Sequence, residues 1–299
     1  MAQFSLQQGS KCVVGQFRAM ASPCEVLLER QDMALCRILT ELAAAEAERI
    51  EQKYSRYRPD SVLSLLNRNA GQWQTVDAET SALLTFANTC FTLSNGMFDI
   101  SSGILRRAWQ FDGSENLATQ SQIAALLPYI GWHKVRISDD AILLPDGMEL
   151  DFGGIAKEYA VDKVMQLLVQ QFPAAQAPSM VVNFGGDMSC NRPRQDGSMW
   201  HIGIENPSLA DQAISAVGLS QGALATSGDS RRFLLKDGVR YSHILNPKTG
   251  WPVTEAPRSV TVAAPNCLLA GMLATTALLQ GANAEAFLQA QGLKYWLVS

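Results

Sequence analysis

The sequence predicts an α+β protein in which antiparallel sheets are packed by helices. Three observations carry this. Between Lys134 and Phe152 the patterns Lys-Val-Arg-Ile-Ser, Ala-Ile-Leu-Leu and Met-Glu-Leu-Asp-Phe follow one another across the turn signals Asp139-Asp140 and Pro145-Asp146-Gly147, which reads as an antiparallel meander. Helical periodicity occupies separate blocks, the first from Ala34 to about Tyr54, where Leu35, Ile38, Leu39, Leu42, Ile50 and Tyr54 share one face and Glu41, Glu46, Glu48 and Glu51 lie largely off it. Finally, Asp-Phe-Gly-Gly at 151–154 and Asn-Phe-Gly-Gly at 183–186 each follow an apolar run, suggesting duplicated halves with paired strand ends.

The 299 residues, 47% hydrophobic and 17% charged, suffice to bury a large core, as one domain or as two intimately packed halves. A formal charge of −4 argues against nucleic acid as the main partner. The N-terminal twenty residues show no basic region followed by an apolar one, and no later run approaches the roughly eighteen uncharged apolar residues of a membrane span. A cytoplasmic protein without a membrane anchor is expected. The six cysteines are scattered without a CxxC pair, so free, mostly buried thiols are expected and zinc is not. HExxH, GxSxG and GxxxxGK[ST] are absent.

In chain order, Met20-Ala21-Ser22-Pro23 is a turn leading into a strand-like alternation, Cys24 to Glu29, where Met20 reads as core filling. Pro59 ends the first helical regime, and Asp60 or Ser61 caps a short helix through Leu66. Tyr57, beside this loop, either stacks on a planar ring or packs on the surface. Asp77 caps a helix that stops at Asn95-Gly96. Met97-Phe98-Asp99 follows, a carboxylate among apolar neighbours. Thr119 with Gln122 opens a helix to Leu127 as a capping box.

Gly153-Gly154 precedes a helix whose apolar face holds Ala160, Val161, Val164, Leu167, Leu168 and Phe172. A glycine pair running into a helix N-terminus is a ready anion site. Lys157 in the first turn opposes the helix dipole, so either a bound anion accounts for it or the turn carries a chance lysine. Met180 to Asp187 is an apolar strand with a second glycine turn. Trp200 to Ile204 is a further strand with a structural His201, Ser259 to Ala264 another, and Cys267 to Leu279 an apolar helix ended by Gly281.

The stretch Ala225 to Val253 concentrates turn chemistry. Thr226, Ser227 and Gly228 offer hydroxyls and main-chain donors that suit a phosphate, with Arg231, Arg232 and Lys236 adding positive charge. Lys236-Asp237-Gly238 is a hairpin turn between Phe233-Leu234-Leu235 and Val239-Arg240-Tyr241-Ser242. The strand delivers His243 to the loop Asn246-Pro247-Lys248-Thr249-Gly250, a rigid turn presenting Lys248 and Thr249. His243 makes either a structural hydrogen bond or a functional contact.

Taken together, YSRYRPDSVLSLLNR, LDFGGIAKEYAVDKV, VVNFGGDM, ATSGDSRR and YSHILNPKTGWPV resemble, in order, the motifs of the ApbE family of FAD:protein FMN transferases, from about Met20 to the last helix. The resemblance implies two fused T-fold-like halves. It implies FAD as substrate, contacted by Met20, Tyr57, Met97, Phe98, Asp99, Asp151, Lys157, Ser227, Gly228, His243, Ile244 and Leu245, with His243 and Asp151 nearest the chemistry. It also implies transfer of FMN onto a threonine or serine hydroxyl of a target flavoprotein, with release of AMP.

A magnesium ion is implied as well, held by the Gly154 carbonyl and by an Asp and a Thr four residues apart in the last helix. Here the threonine is Thr275, but Gly271 stands in the place of the carboxylate, and Asn246 replaces an Asp after His-x-x. Three readings follow. Magnesium binds weakly through Gly154, Thr275 and the FAD phosphates; or Lys157, Lys248 or potassium substitutes; or FAD is bound without transfer, or is hydrolysed.

Overall fold

The computed structural model describes residues 3–30, 32–173, 176–207, 209–229 and 232–299. The chain opens with strands β1 (Phe4–Gln8), β2 (Val13–Ala19) and β3 (Ser22–Leu28), then helices α1 (Met33–Tyr54) and α2 (Val62–Arg68), strand β4 (Trp73–Thr75) and helix α3 (Ala78–Leu93). A 3-10 helix, Ile100–Arg107, leads to α4 (Gln120–Leu126), β5 (Arg136–Ile137), β6 (Ala141–Leu143) and α5 (Ala156–Val169). The rest comprises β7 (Met180–Phe184), β8 (Asp187–Cys190), β9 (Trp200–Asn206), β10 (Leu209–Leu219), β11 (Gly222–Gly228), β12 (Phe233–Lys236), β13 (Val239–Ser242), β14 (Ser259–Ala264), α6 (Cys267–Leu279), α7 (Ala284–Gln291) and β15 (Tyr295–Val298).

Eight strands form one antiparallel sheet in the order β1-β2-β3-β7-β8-β11-β14-β15. Period-2 alternation decides what each face touches. Val26, Val182, Phe184, Ala225 and Val262 point to one side and share a core with residues of α1, α5 and α6. Val181, Leu27, Leu224 and Trp296 point to the other, where Trp200, Ile204 and Val217 of the β9–β10 hairpin cover them. A smaller cluster around Ile104, Leu105, Trp109, Ile123 and Leu234 seats the 3-10 helix and the β12–β13 hairpin.

Capping chemistry accounts for the helix starts. Asp32, Ser61, Asp77, Thr119 and Asn266 each accept a backbone N–H of the first turn, and Thr119 with Gln122 completes the expected capping box. Asp237 and Gly238 take φ of 51° and 76° in the β12–β13 turn, as its sequence requires. Five of the six cysteines are buried and all are free.

Three expectations are corrected. The segment 148–152 is not a strand, because its backbone groups are taken elsewhere: Leu150 by the Asn67 side chain, and Asp151 N–H by the Ile100 carbonyl at 2.9 Å. The meander is therefore β4-β6-β5, a small separate sheet. On α1 the expected face holds at Leu39, Ile50 and Tyr54, which are buried, and at Leu35 and Leu42, which pack part-buried on the same core, but Ile38 is 56% exposed and Cys36, Thr40, Ala43 and Ala47 fill the face instead. Where β2 crosses α1 the backbone comes close: a Cβ on Gly15 would lie 1.8 Å from the Thr40 hydroxyl oxygen. The two Phe-Gly-Gly copies also differ: Gly153-Gly154 leads into α5, whereas Gly185-Gly186 is the two-residue turn between β7 and β8.

Candidate active site

Two tight turns lie side by side at one end of the sheet. Met20 and Ala21 join β2 to β3, with Ala19 opposite Ser22 and φ of 52° and 56°. Left-handed backbone at two consecutive residues with side chains is strained. The Met20 N–H donates to Glu51 Oε2 of α1 at 2.9 Å, which holds the turn. The neighbouring turn, Gly185-Gly186, has φ of 61° and 101°, and Gly185 N–H donates to the Pro23 carbonyl at 2.9 Å. Met20 packs half-buried against the main core.

Asp187, the first residue of β8, is buried at this end. Its Oδ1 accepts the Thr226 N–H at 3.0 Å, and Lys157 Nζ lies 2.5 Å from its Oδ2. The lysine that opposes the α5 dipole thus has a carboxylate partner inside the protein, so no bound anion is required to account for it. Burial alone would lower the Lys157 ammonium, but the charges of Asp187 and Glu158 raise it above the usual lysine value. Glu158 is buried beside this pair, with no hydrogen-bond partner for its Oε2. Burial first, and the Asp187 charge second, push its carboxyl up to about 8.

Thr226, Ser227 and Gly228 are not an open phosphate loop. They finish β11 with their backbone in register against Thr261, Val260 and Ser259 of β14, because the apolar run before them continues as strand. The Ser227 hydroxyl hydrogen-bonds Thr275 of α6 at 2.7 Å. α6 itself is fixed to α5 by Asp162, whose carboxylate accepts Cys267 N–H at 2.8 Å and Leu268 N–H at 2.9 Å. That is the capping use of a carboxylate at a helix N-terminus. Burial raises the Asp162 carboxyl, against the pull of those two N–H groups.

Around Asp151 the loops after α1 and α3 converge. Arg56 ion-pairs with Asp151 Oδ2, donates to Tyr57 Oη at 2.8 Å and stacks 4.9 Å from the Tyr57 ring centroid. Tyr57 is 77% exposed, leaving a ring face open to a planar ligand. Asp151 Oδ1 accepts Gly153 N–H at 2.9 Å, shaping the turn into α5, and Gly154 approaches the buried Phe98 ring closely enough that a Cβ would lie 3.2 Å from it. Met97 is half-buried against the core. Asp99 caps the 3-10 helix: Oδ1 accepts from Ser101 N–H at 2.8 Å and its hydroxyl at 2.6 Å, and Oδ2 from Trp132 N–H at 3.0 Å. Its neighbours are therefore polar as well as apolar.

His243 leaves β13 with Nδ1 3.1 Å from the Arg232 carbonyl. A carbonyl only accepts, so Nδ1 carries a proton, and in the neutral ring the lone pair sits on Nε2. Burial lowers the imidazole below its ordinary 6.5, with the Arg232 carbonyl opposing. Ile244 packs on the main core and Leu245 on the smaller cluster, so this segment bridges the two. Asn246 closes the next turn: its Oδ1 accepts Lys248 N–H at 2.9 Å and its carbonyl accepts Gly250 N–H at 2.8 Å, leaving Lys248 and Thr249 exposed. Arg231 lies outside the described residues.

Sequence reading missed Arg56, Glu158 and Asp187 as site groups, although all stand inside quoted motifs. A large concavity lined by Lys11, Glu29, Arg30 and Arg194 sits at the opposite end of β3, about 20 Å from the Met20 turn at the usual rise per residue.

The ApbE family model matches residues 20–297. The FAD:protein FMN transferase of Vibrio cholerae is 31% identical over 242 residues, 78% of this chain and 71% of that protein. That of Haemophilus influenzae is 30% identical over 246 residues, 78% and 69% of the two chains. An ApbE protein from Thermotoga maritima superposes with a TM-score of 0.85 at 29% identity, covering 99% of this chain and 94% of that one. The Pseudomonas stutzeri flavinyl transferase ApbE, in its apo form, gives 0.82 at 26% identity, covering 99% and 91%. With a match that runs nearly end to end and a sheet and helices that superpose throughout, this chain belongs to the ApbE family.

Proposed function

We infer that the protein transfers FMN from FAD to a threonine or serine hydroxyl of an acceptor flavoprotein. The family match supports this, and the observation within the chain that carries it is the placing of His243, whose Nδ1 lies 3.1 Å from the Arg232 carbonyl so that Nε2 is the nitrogen left to take a proton, while burial favours the neutral ring. The acceptor oxygen attacks the FMN-side phosphorus and forms the new P–O bond. Its proton passes to His243 Nε2, and the bond to the bridging oxygen breaks, AMP leaving with that oxygen and the electron pair. Tyr57 offers a ring face to the flavin, Met20 and the Met97-Phe98-Asp99 segment border it, and Ile244 and Leu245 lie behind His243. Asp151, held by Arg56, shapes the Gly153-Gly154 turn against which the phosphates rest. Lys157, Ser227 and Gly228 close the other side.

The residues present fit a magnesium ion, since a buried carboxylate oxygen of Glu158 is without a partner and Thr275 offers a hydroxyl. Among the described residues no three His, Cys, Asp or Glu side chains converge, so hydroxyl, carbonyl and phosphate oxygens would complete its shell. Gly154 and Thr275 would hold it, and it would neutralise charge on the pyrophosphate.

The experiment combines the protein, FAD, magnesium and an acceptor domain bearing the target threonine, read by mass spectrometry. An acceptor heavier by FMN, with AMP in equal amount, is expected. Intact FAD with unmodified acceptor in every cation would leave a binding protein, and AMP with free FMN a hydrolase; either overturns the reading. Among the described residues no helix is long and apolar enough to cross a membrane. A cytoplasmic acceptor completes the proposal, and cell fractionation tests it.

A further inference from the structure

Gly271 is not simply a lost carboxylate. A Cβ built on it would lie 2.5 Å from Glu158 Cγ, with the Glu158 carboxyl carbon and Oε1 both at 3.0 Å. The space that a side chain at 271 would enter is filled by the carboxylate arm of Glu158, reaching across from α5. The seam between the helices explains how. Asp162 sits at the start of α6, against Cys267 and Leu268, and Glu158, one turn back along α5, sits against Gly271, one turn forward along α6. The helices run antiparallel here. One further turn forward on α6 is Thr275, while α5 ends backwards at the Gly153-Gly154 turn.

Glu158 is 6% exposed, its Oε2 has no hydrogen-bond partner, and the buried Asp187 carboxylate lies beside it, an arrangement that costs free energy unless a cation or a shared proton completes it. Lys157 is already engaged with Asp187 at 2.5 Å. We propose that Glu158, projecting from α5 into the space beside Gly271, supplies the carboxylate of a divalent-cation site that it shares with Thr275 and the Gly154 carbonyl. Carboxylate, hydroxyl and carbonyl oxygens are the ligands a hard cation takes. The carboxylate has moved from one helix to its neighbour, and glycine at 271 is the residue that makes room for it. The inference rests on the transferase reading for the identity of the metal, but not for its existence.

The test titrates manganese into the full-length protein without FAD, followed by electron paramagnetic resonance of the free ion. Wild type is expected to bind one ion, and Glu158→Gln, which keeps the shape and removes the charge, to bind at least tenfold more weakly while melting at a similar temperature. Gly271→Asp alone is expected to gain nothing, because its Cβ collides with Glu158. The double variant Glu158→Gly with Gly271→Asp, which returns the carboxylate to α6, should recover affinity to within about threefold of wild type. Equal binding by wild type and Glu158→Gln, or tighter binding by Gly271→Asp alone, overturns the proposal. Flavin transfer is scored separately. Transfer with a Glu158-independent ion sinks this inference and leaves the transferase reading intact, whereas Glu158-dependent binding without transfer does the reverse.

Discussion

Asn67 grips the backbone of Leu150 from both directions, its Nδ2 donating to the carbonyl at 2.9 Å and its Oδ1 accepting the N–H at 2.7 Å. One side chain on α2 thereby replaces two ladder hydrogen bonds and fixes the residue before Asp151. Asn67→Ala leaves both backbone groups unpaired in a part-buried setting and should lower stability by about 2–3 kcal/mol. Urea unfolding checks this. A midpoint equal to wild type would mean that water serves Leu150 equally well.

His243 must be neutral to accept a proton, and burial holds its pKa below 6.5. Transfer is therefore expected to rise as pH climbs through a value below 6.5 and to be level by neutrality. His243→Ala should lower kcat by roughly 100-fold or more, the usual contribution of a general base, and abolish that limb of the pH profile. A variant that keeps the limb assigns it to another group.

Ala21 holds φ of 56° next to Met20 at 52°. Glycine adopts this conformation freely, so Ala21→Gly should raise stability by about 0.5–1 kcal/mol after the added freedom of the unfolded chain is subtracted. Thermal melting decides. Should the variant melt lower, the turn is not the store of strain it looks to be.

Glu79 sits in a charge network, accepting from Arg49 at 2.7 and 2.9 Å, Lys53 at 2.6 Å and Tyr159 Oη at 2.7 Å, and so ties α1, α3 and α5 together. The Arg49 hydrogen bonds, then those of Lys53 and Tyr159, hold its carboxyl well below the ordinary glutamate range against the opposing effect of burial. Because the folded pKa is depressed, the stabilisation is complete above the unfolded value and disappears as pH falls through the folded one. Glu79→Gln should cost about 1–2 kcal/mol at neutral pH, with the gap to wild type narrowing steadily below about pH 4. A gap independent of pH would mean that packing, not charge, carries the effect.

Much of the fold was legible because its signals are local. The caps at Ser61, Asp77 and Thr119, the Asp237-Gly238 turn, the strand Ser259–Ala264 and the helix Cys267–Leu279 all stand where the sequence places them. Each depends on residues within about four positions of one another. The ordered glycine and histidine motifs also carried the family.

Contacts between distant segments were not legible. That Ile38 is left exposed on α1 while Thr40 meets Gly15 of β2 depended on which strand crosses the helix, and the segment at Leu150 looked like a strand until Asn67 took its backbone. Lys157 read as either an anion ligand or a chance lysine because its partner, Asp187, lies thirty residues on, across a helix and a strand. Read along the chain, Gly271 is a missing carboxylate. Only the antiparallel packing of α5 on α6, set by Asp162 at the helix N-terminus, brings Glu158 into that space. Sequence by itself determined most of the helices, the caps at Ser61, Asp77 and Thr119, and the family, since these follow from backbone propensity and short-range hydrogen bonding. Tertiary structure decided which charged groups share a low-dielectric site, because that depends on which helix lies beside which and how far each side chain reaches.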